Sequence, residues 1–289
     1  MALDPFSEEA IRAANPGFDY FMNKAEVLDM AEIARRMPAR EAEYRNLILN
    51  QRIDPSEGAQ LVTRDVWLAN DKPPRDLHYC RVFGGLDLSS VGDLTVFVLA
   101  GFDPFNADWS VKVHAWLPQR GLDERAAADR EIYRRWVDEG LLTLAPGGSI
   151  KPALVARQVA EIIAEYPNFQ RTAYDRWGTE EFLRGLEDVM SADEISRKFV
   201  PHGQGFRDMA ASISALERVL LDGALRHGGN LILNSHIANV VVTLDDAGNR
   251  KFTKKRSHGR IDGIVALAMA IGIAGQKGPP TFDVRALIG

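Results

Sequence analysis

The sequence predicts an α/β fold, a mixed β-sheet covered on both faces by helices, and three observations predict it. Residues 81–117 read as three consecutive strands rich in Val, Leu, Phe and Trp, parted by short polar turns, which is the pattern of antiparallel hairpins. Beyond Asp123, segments with apolar residues at helical spacing alternate with short apolar runs, the arrangement of strands joined by helical crossovers. The longest apolar run, Ile264–Gly275, is too short to span a bilayer and is cut off by Asp262, so it reads as a buried helix.

Composition bounds the function. With 289 residues, 46% hydrophobic and 26% charged, the chain resembles an ordinary soluble globular protein with room for a sizeable core. Cys80 is the one cysteine, which excludes an intramolecular disulfide framework and a Cys-rich zinc site and fits a buried thiol in a reducing cytoplasm. No secretory signal is visible. A net charge of −5 argues against binding nucleic acid with the whole surface, but leaves room for a local basic groove.

Met1–Phe6 lacks periodicity and reads as a cloning scar. Ser7, followed by Glu8 and Glu9, reads as the N-cap of a helix. Helices follow over Lys24–Met37 and Ala39–Leu49, then a short apolar patch with Leu61, Val62 and Trp67. The paired prolines of ANDKPPRD, Ala69–Asp76, read as a linker. The expected division is a helical arm and linker, residues 1–75, and a main domain, residues 76–289.

In the main domain the expected strands are Arg81–Leu88, Leu94–Phe102 and Ser110–Leu117. A helix over Asp123–Glu139, a short apolar run Leu141–Leu144 and a helix Pro152–Tyr166 with proline in its first turn come next. A strand Thr172–Trp177, a helix Thr179–Val189, a short strand Lys198–Val200 and a long helix Phe206–Leu225 follow. Ile237–Leu244, the turn DDAGN and Arg250–Thr253 read as a hairpin, and the last helix starts at Asp262.

Three aspartates stand out by context. Asp87 lies in an apolar strand, Asp175 ends a later strand, and Asp262 opens the apolar C-terminal helix. If the strand bearing Asp175 lies parallel to and beside that of Asp87, the two carboxylates meet at one sheet edge and the helix brings in the third. Such acids repel and stay ionised together only around divalent cations, and their hard oxygens suit Mg²⁺ or Mn²⁺. Two such ions about 4 Å apart would serve phosphodiester hydrolysis. Each residue also has a plainer role: Asp87 a strand-end hydrogen bond, Asp175 an ion pair with Arg176, Asp262 a helix cap. Asp93, Glu180, Glu181 and Asp208 read as solvated or capping residues, any one of which could serve as an extra ligand.

The run Arg250–Arg260, RKFTKKRSHGR, carries six Lys or Arg and no acid just before Asp262. In an otherwise acidic chain, that adjacency favours nucleic-acid contact over a merely solvated face, with Lys254, Lys255, Arg256 and Arg260 positioned to hold a phosphate backbone.

GGLDLSSVGDLT, TAYDRWGTEEF, QGFRDMAASISALERVLLDGALRHGGN, HIANVVVTLDDAGN and GRIDGIVALAMAIG, in that order, resemble the C-terminal nuclease domain of tailed-bacteriophage terminase large subunits. ANPGF and YRNLILNQ in the arm are similar to the family's segment joining ATPase and nuclease. The resemblance implies an RNase H-like fold and a metal-dependent endonuclease that cuts concatemeric viral DNA in the cytoplasm of the bacterial host. It puts the metal-binding and catalytic acids on Asp87, Asp175 and Asp262, with Asp87 bridging two ions. It implies double-stranded DNA as substrate and an ATPase motor domain, a small subunit and a portal protein as partners. No G-x-x-x-x-G-K-[ST] loop occurs in these residues, so ATP hydrolysis is not carried over and an excised domain or truncated product is expected. Three readings compete: a resolvase- or transposase-type nuclease of the same fold, a sugar-kinase- or actin-like ATPase, and a docking module with vestigial acids.

Overall fold

The computed structural model describes residues 3–51, 58–88, 94–129, 132–176, 179–254 and 259–275. The arm begins with α1 (Glu8–Ala14), α2 (Lys24–Arg36) and α3 (Pro38–Leu47). Ser7 caps α1 by accepting from the Ala10 amide, and Asn23 caps α2 by accepting from Glu26. Ile11, Phe18, Val27 and Tyr44 give these helices a small core of their own.

The rest of the arm belongs to the main body. After β1 (Ala59–Gln60) and α4 (Arg64–Ala69), Leu61, Val62, Val66 and Trp67 are buried in the same core as the central sheet. Asn70, fully buried, donates to the Val66 and Leu220 carbonyls and accepts from the Leu225 amide. The segment read as a linker is docked: the Gly228 amide donates to the Lys72 carbonyl, and Arg75 grips Asp108 through two nitrogens.

The central sheet starts with β2 (Arg81–Asp87), β3 (Thr95–Asp103) and β4 (Asp108–Pro118), antiparallel in sequence. Two helices, α5 (Leu122–Asp129) and α6 (Tyr133–Asp138), stand where one was expected, and residues 130 and 131 between them lie outside the described ones. Then come β5 (Leu142–Ala145), α7 (Pro152–Ala164), β6 (Phe169–Asp175), α8 (Glu180–Glu187), α9 (Ala192–Lys198) and β7 (Phe199–His202). The last third holds α10 (Phe206–Leu221), β8 (Leu225–Arg226), α11 (Leu231–Asn239), β9 (Val240–Leu244), β10 (Arg250–Lys254) and α12 (Asp262–Ala274).

The strands order as β5-β4-β3-β2-β6-β7, with β8 beside β5 on the same edge of β4, while β1, β9 and β10 form a separate three-stranded antiparallel sheet. β6 and β7 run parallel to β2, as a helical crossover requires. One face of the sheet packs on α10 and α12, and the other on α7 and α8 through Val155, Val159, Phe182 and Leu186. This mixed sheet flanked by helices is RNase H-like. No helix among the described residues is long and apolar enough to cross a membrane.

α12 is the most buried helix, with Ile264, Leu267 and Met269 wholly enclosed. Burying each such side chain contributes about 1.5–3 kcal/mol. The helix lies directly against β2 because Gly85 has no side chain: a Cβ there would overlap the Ala266 carbonyl oxygen.

Candidate active site

Asp87 and Asp175 end adjacent parallel strands. The last paired residues are Leu86 and Tyr174, so the two aspartates occupy the next position on neighbouring strands, which run about 4.8 Å apart. Leu86 and Tyr174 face the core under α7, so by alternation both aspartates face the α12 side, as Gly85 and Ala173 do. Asp87 is 9% exposed, and its Oδ1 accepts a hydrogen bond from Gln204 Nε2 at 2.7 Å.

Asp262 comes to the same end of the sheet. Arg171, near the start of β6, donates to the Ile273 carbonyl near the end of α12. The helix therefore runs antiparallel to β2 and β6, with its first residue toward the strand ends that carry Asp87 and Asp175. The cap of α12 is Ile261, which makes no side-chain cap bond, and the Gly263 amide donates to His236 Nδ1 at 2.8 Å. Asp262 is thus the first helical residue rather than the cap, where the helix dipole favours its ionised form. Its Oδ2 is out of contact with solvent.

The surroundings tie these elements together. Arg176 pairs with Asp208 at the start of α10, and its amide donates to the His202 carbonyl at 3.3 Å. His202 is the register partner of Asp175, and its Nε2 lies 3.0 Å from Ser212 Oγ. Burial pushes the His202 imidazole below its ordinary pKa, so it stands neutral beside the acids at pH 7.

Three carboxylates offer only hard oxygen donors, the chemistry that suits Mg²⁺ or Mn²⁺. As placed, no three His, Cys, Asp or Glu side chains among the described residues converge on one ion position. The topology gathers the acids at one end of the sheet, and the donor set fits a divalent cation. Glu180 and Glu181 are exposed in the first turn of α8, and Asp93 lies outside the described residues.

The basic run divides. Arg250 is buried and paired with Glu217, so it serves the fold, while Lys251 lies 4.5 Å from the centre of the Phe206 ring. Lys254 ends β10, and Lys255 and Arg256 lie outside the described residues. Arg260, expected to hold DNA, is 7% exposed, which leaves little of the residue to meet a phosphate backbone. Gln204 was missed as a site residue: a lone Gln before a glycine and a helix carries no chemical signature by itself.

A model of the terminase large subunit endonuclease domain matches residues 7–277. The chain belongs to that family. A terminase large subunit of Enterobacteria phage HK97 is 38% identical over 275 residues, 94% of this terminase-family chain and 52% of the relative. The crystal structure of the HK97 large terminase superposes with a TM-score of 0.67 at 38% identity, over 94% of this chain and 55% of that one. The family chain thus spans about half the length of these relatives. Protein YmfN of Escherichia coli (strain K12) is 25% identical over 198 residues, 65% of this chain and 41% of its own length. A large terminase nuclease from the thermophilic phage G20c, solved with bound magnesium, is 14% identical with a TM-score of 0.44 over 71% of this chain and 95% of that one. That likeness is too loose to transfer a site.

Proposed function

We propose that this chain is the metal-dependent DNA endonuclease of a phage packaging terminase, hydrolysing phosphodiester bonds of concatemeric viral DNA. The observation that carries the reading is the meeting of Asp87 and Asp175 at adjacent strand ends on the face where α12 presents Asp262. In this reading Asp87, Asp175 and Asp262 would hold two divalent ions, Mg²⁺ or Mn²⁺, with Asp87 shared between them. Divalent ions, when bound, supply an activated water and neutralise charge at the leaving oxygen. The chain's own part is to hold three ionised carboxylates at the end of a rigid sheet, with the helix dipole behind Asp262 and an amide on Asp87. Lys254, Lys255 and Arg256 hold the backbone without reading sequence. An ATPase motor domain, a small subunit and a portal protein are the proposed partners, and the cytoplasm of the bacterial host is the place of action.

The test is cleavage of supercoiled plasmid and linear duplex with Mn²⁺, with Mg²⁺ and with chelator, for wild type, Asp87→Ala and Asp262→Ala. Metal-dependent cutting lost in both folded variants is expected. Equal cutting by wild type and variants, or none with either metal, would sink the reading that these three acids form an active site that works on its own.

A further inference from the structure

The turn between β7 and α10 delivers one side chain to Asp87, and it is fastened on both sides. On the strand side, His202 pairs with Asp175 in register and its carbonyl accepts from the Arg176 amide. On the helix side, Arg176 pairs with Asp208 in the first turn of α10. Gly203 passes beneath that ion pair, where a Cβ would collide with both the Asp208 carboxylate and the Arg176 guanidinium. The next residue is Gln204, half-buried, with its Nε2 2.7 Å from Asp87 Oδ1.

The chemistry of this donor is informative. A Lys or Arg would hold the carboxylate as firmly, but would cancel the charge that attracts a cation. An amide orients the group and leaves its charge intact. An ionised carboxylate has about four acceptor positions, so the amide bond to one oxygen does not by itself exclude a metal. The strand that carries Asp175 is also the anchor of the turn, so the geometry of the two acids is set by one unit.

We infer that Gln204 is a positioning residue: it fixes the Asp87 carboxylate in the orientation that a divalent cation takes. The inference rests on the metal-nuclease reading. Hydrogen-bond partners of metal-binding carboxylates, when removed, typically change metal affinity or activity 10–100-fold.

The experiment measures Mn²⁺ affinity by electron paramagnetic resonance of free Mn²⁺ and, in parallel, the Mn²⁺ concentration for half-maximal plasmid cutting. The proteins are wild type, Asp87→Ala, Gln204→Ala, Gln204→Met and Gln204→Lys. Gln204→Met keeps the size and removes only the donor, which covers a failure of the alanine variant to fold. Affinity weakened roughly tenfold or more in Gln204→Ala and Gln204→Met is expected, with unfolding midpoints close to wild type. Gln204→Lys, which restores a donor with a charge, is expected to bind Mn²⁺ more weakly still. A wild-type affinity in Gln204→Met, with Asp87→Ala losing the ion, overturns this inference and leaves the nuclease reading standing. Equal Mn²⁺ binding by wild type and Asp87→Ala, or none by wild type, overturns both.

Discussion

Gly85 in β2 lies beneath the Ala266 carbonyl oxygen of α12, and a Cβ on Gly85 would also crowd the Ala270 amide nitrogen. Ala266 is one turn beyond Asp262, and Gly85 is two residues before Asp87. The close approach that seats the helix is therefore the one that sets the distance between two of the three acids. Gly85→Ala is expected to destabilise the chain by about 3 kcal/mol or more, the upper end of overpacking, because backbone rather than a flexible side chain must yield. Gly101→Ala, whose Cβ would press on the Cys80 and Leu77 side chains, is expected to destabilise less. Urea unfolding of the two variants checks the order, and equal losses would refute the backbone argument.

Asp262 separates a capping role from a chemical one. Ile261 is the cap and His236 accepts from the Gly263 amide, so α12 does not depend on the Asp262 side chain for its first hydrogen bonds. Asp262→Asn removes the charge that the helix dipole favours, a contribution of about 0.3–1 kcal/mol. We expect the helical signal and the unfolding midpoint to change little while metal-dependent cutting falls at least a hundredfold. A variant that loses stability and activity together would instead mark Asp262 as structural.

Much of this arrangement was legible in the sequence because β2, β3 and β4 carry dense β-branched and aromatic residues and each boundary has a turn signal. Ser7 was readable as a cap for the same local reason. What escaped was decided by tertiary contacts. The helix expected to continue to Leu225 stops at Leu221, because Gly223 adopts a left-handed conformation and Leu225–Arg226 is recruited to the edge of β4. α11 hides in an apolar stretch, LILNSHIAN, that has no clear helical stripe. α9 does carry a readable signal, the Ser191–Glu194 capping box, but it lacks an apolar run behind it. Among the acids, strand-end and helix-start positions were visible one at a time. Their meeting depends on β6 lying parallel to β2, which no local pattern states.

Glu217 should be the most sensitive charged residue of the fold. It is 2% exposed, and it accepts from Arg40 of α3 at 2.8 Å and from the buried Arg250 of β10, which also donates to Ser214 Oγ. One carboxylate thus joins the arm, α10 and the β9–β10 hairpin. Glu217→Ala leaves Arg250 buried without its counter-charge and is expected to destabilise by about 3–5 kcal/mol. Arg40→Ala, on the wetter side of the cluster, should lower stability by about 1 kcal/mol or less. Chemical denaturation of both variants checks this, and a Glu217→Ala protein as stable as wild type would rule the cluster out as a clamp.

Salt titration sorts the basic run. Each phosphate contact contributes about −0.9 to the slope of log binding constant against log salt on duplex DNA. Lys255→Ala and Arg256→Ala should each make the slope shallower by about that amount, with stability unchanged within about 0.5 kcal/mol. Arg260→Ala should leave the slope alone and lower the unfolding midpoint, because Arg260 is buried. Fluorescence anisotropy of a labelled duplex between 50 and about 200 mM salt provides the measurement, and a slope that moves only with Arg260 would reverse the assignment.

The buried histidines predict how stability depends on pH. Burial pushes His114 down to about 4, with Lys112 nearby adding to the effect. Burial likewise lowers His202 and His227. An unfolded histidine titrates near 6.5, so between the folded and unfolded values the unfolded chain binds more protons. The stability contributed by keeping these rings neutral is therefore complete above about pH 6.5 and is lost as the pH falls toward the folded values. Carboxylates held low by partners, such as Asp19 at about 2 between Arg12 and Lys24, lose their contribution only at lower pH. His114 Nε2 is buried without a hydrogen-bond partner in the structure, so the ring gives up little when replaced. His114→Leu is expected to reduce the fall in unfolding free energy between pH 7 and pH 5 by about 1–2 kcal/mol. Urea titrations at the two pH values decide it: a fall as steep as that of wild type would show that His114 meets solvent and titrates normally in the folded chain.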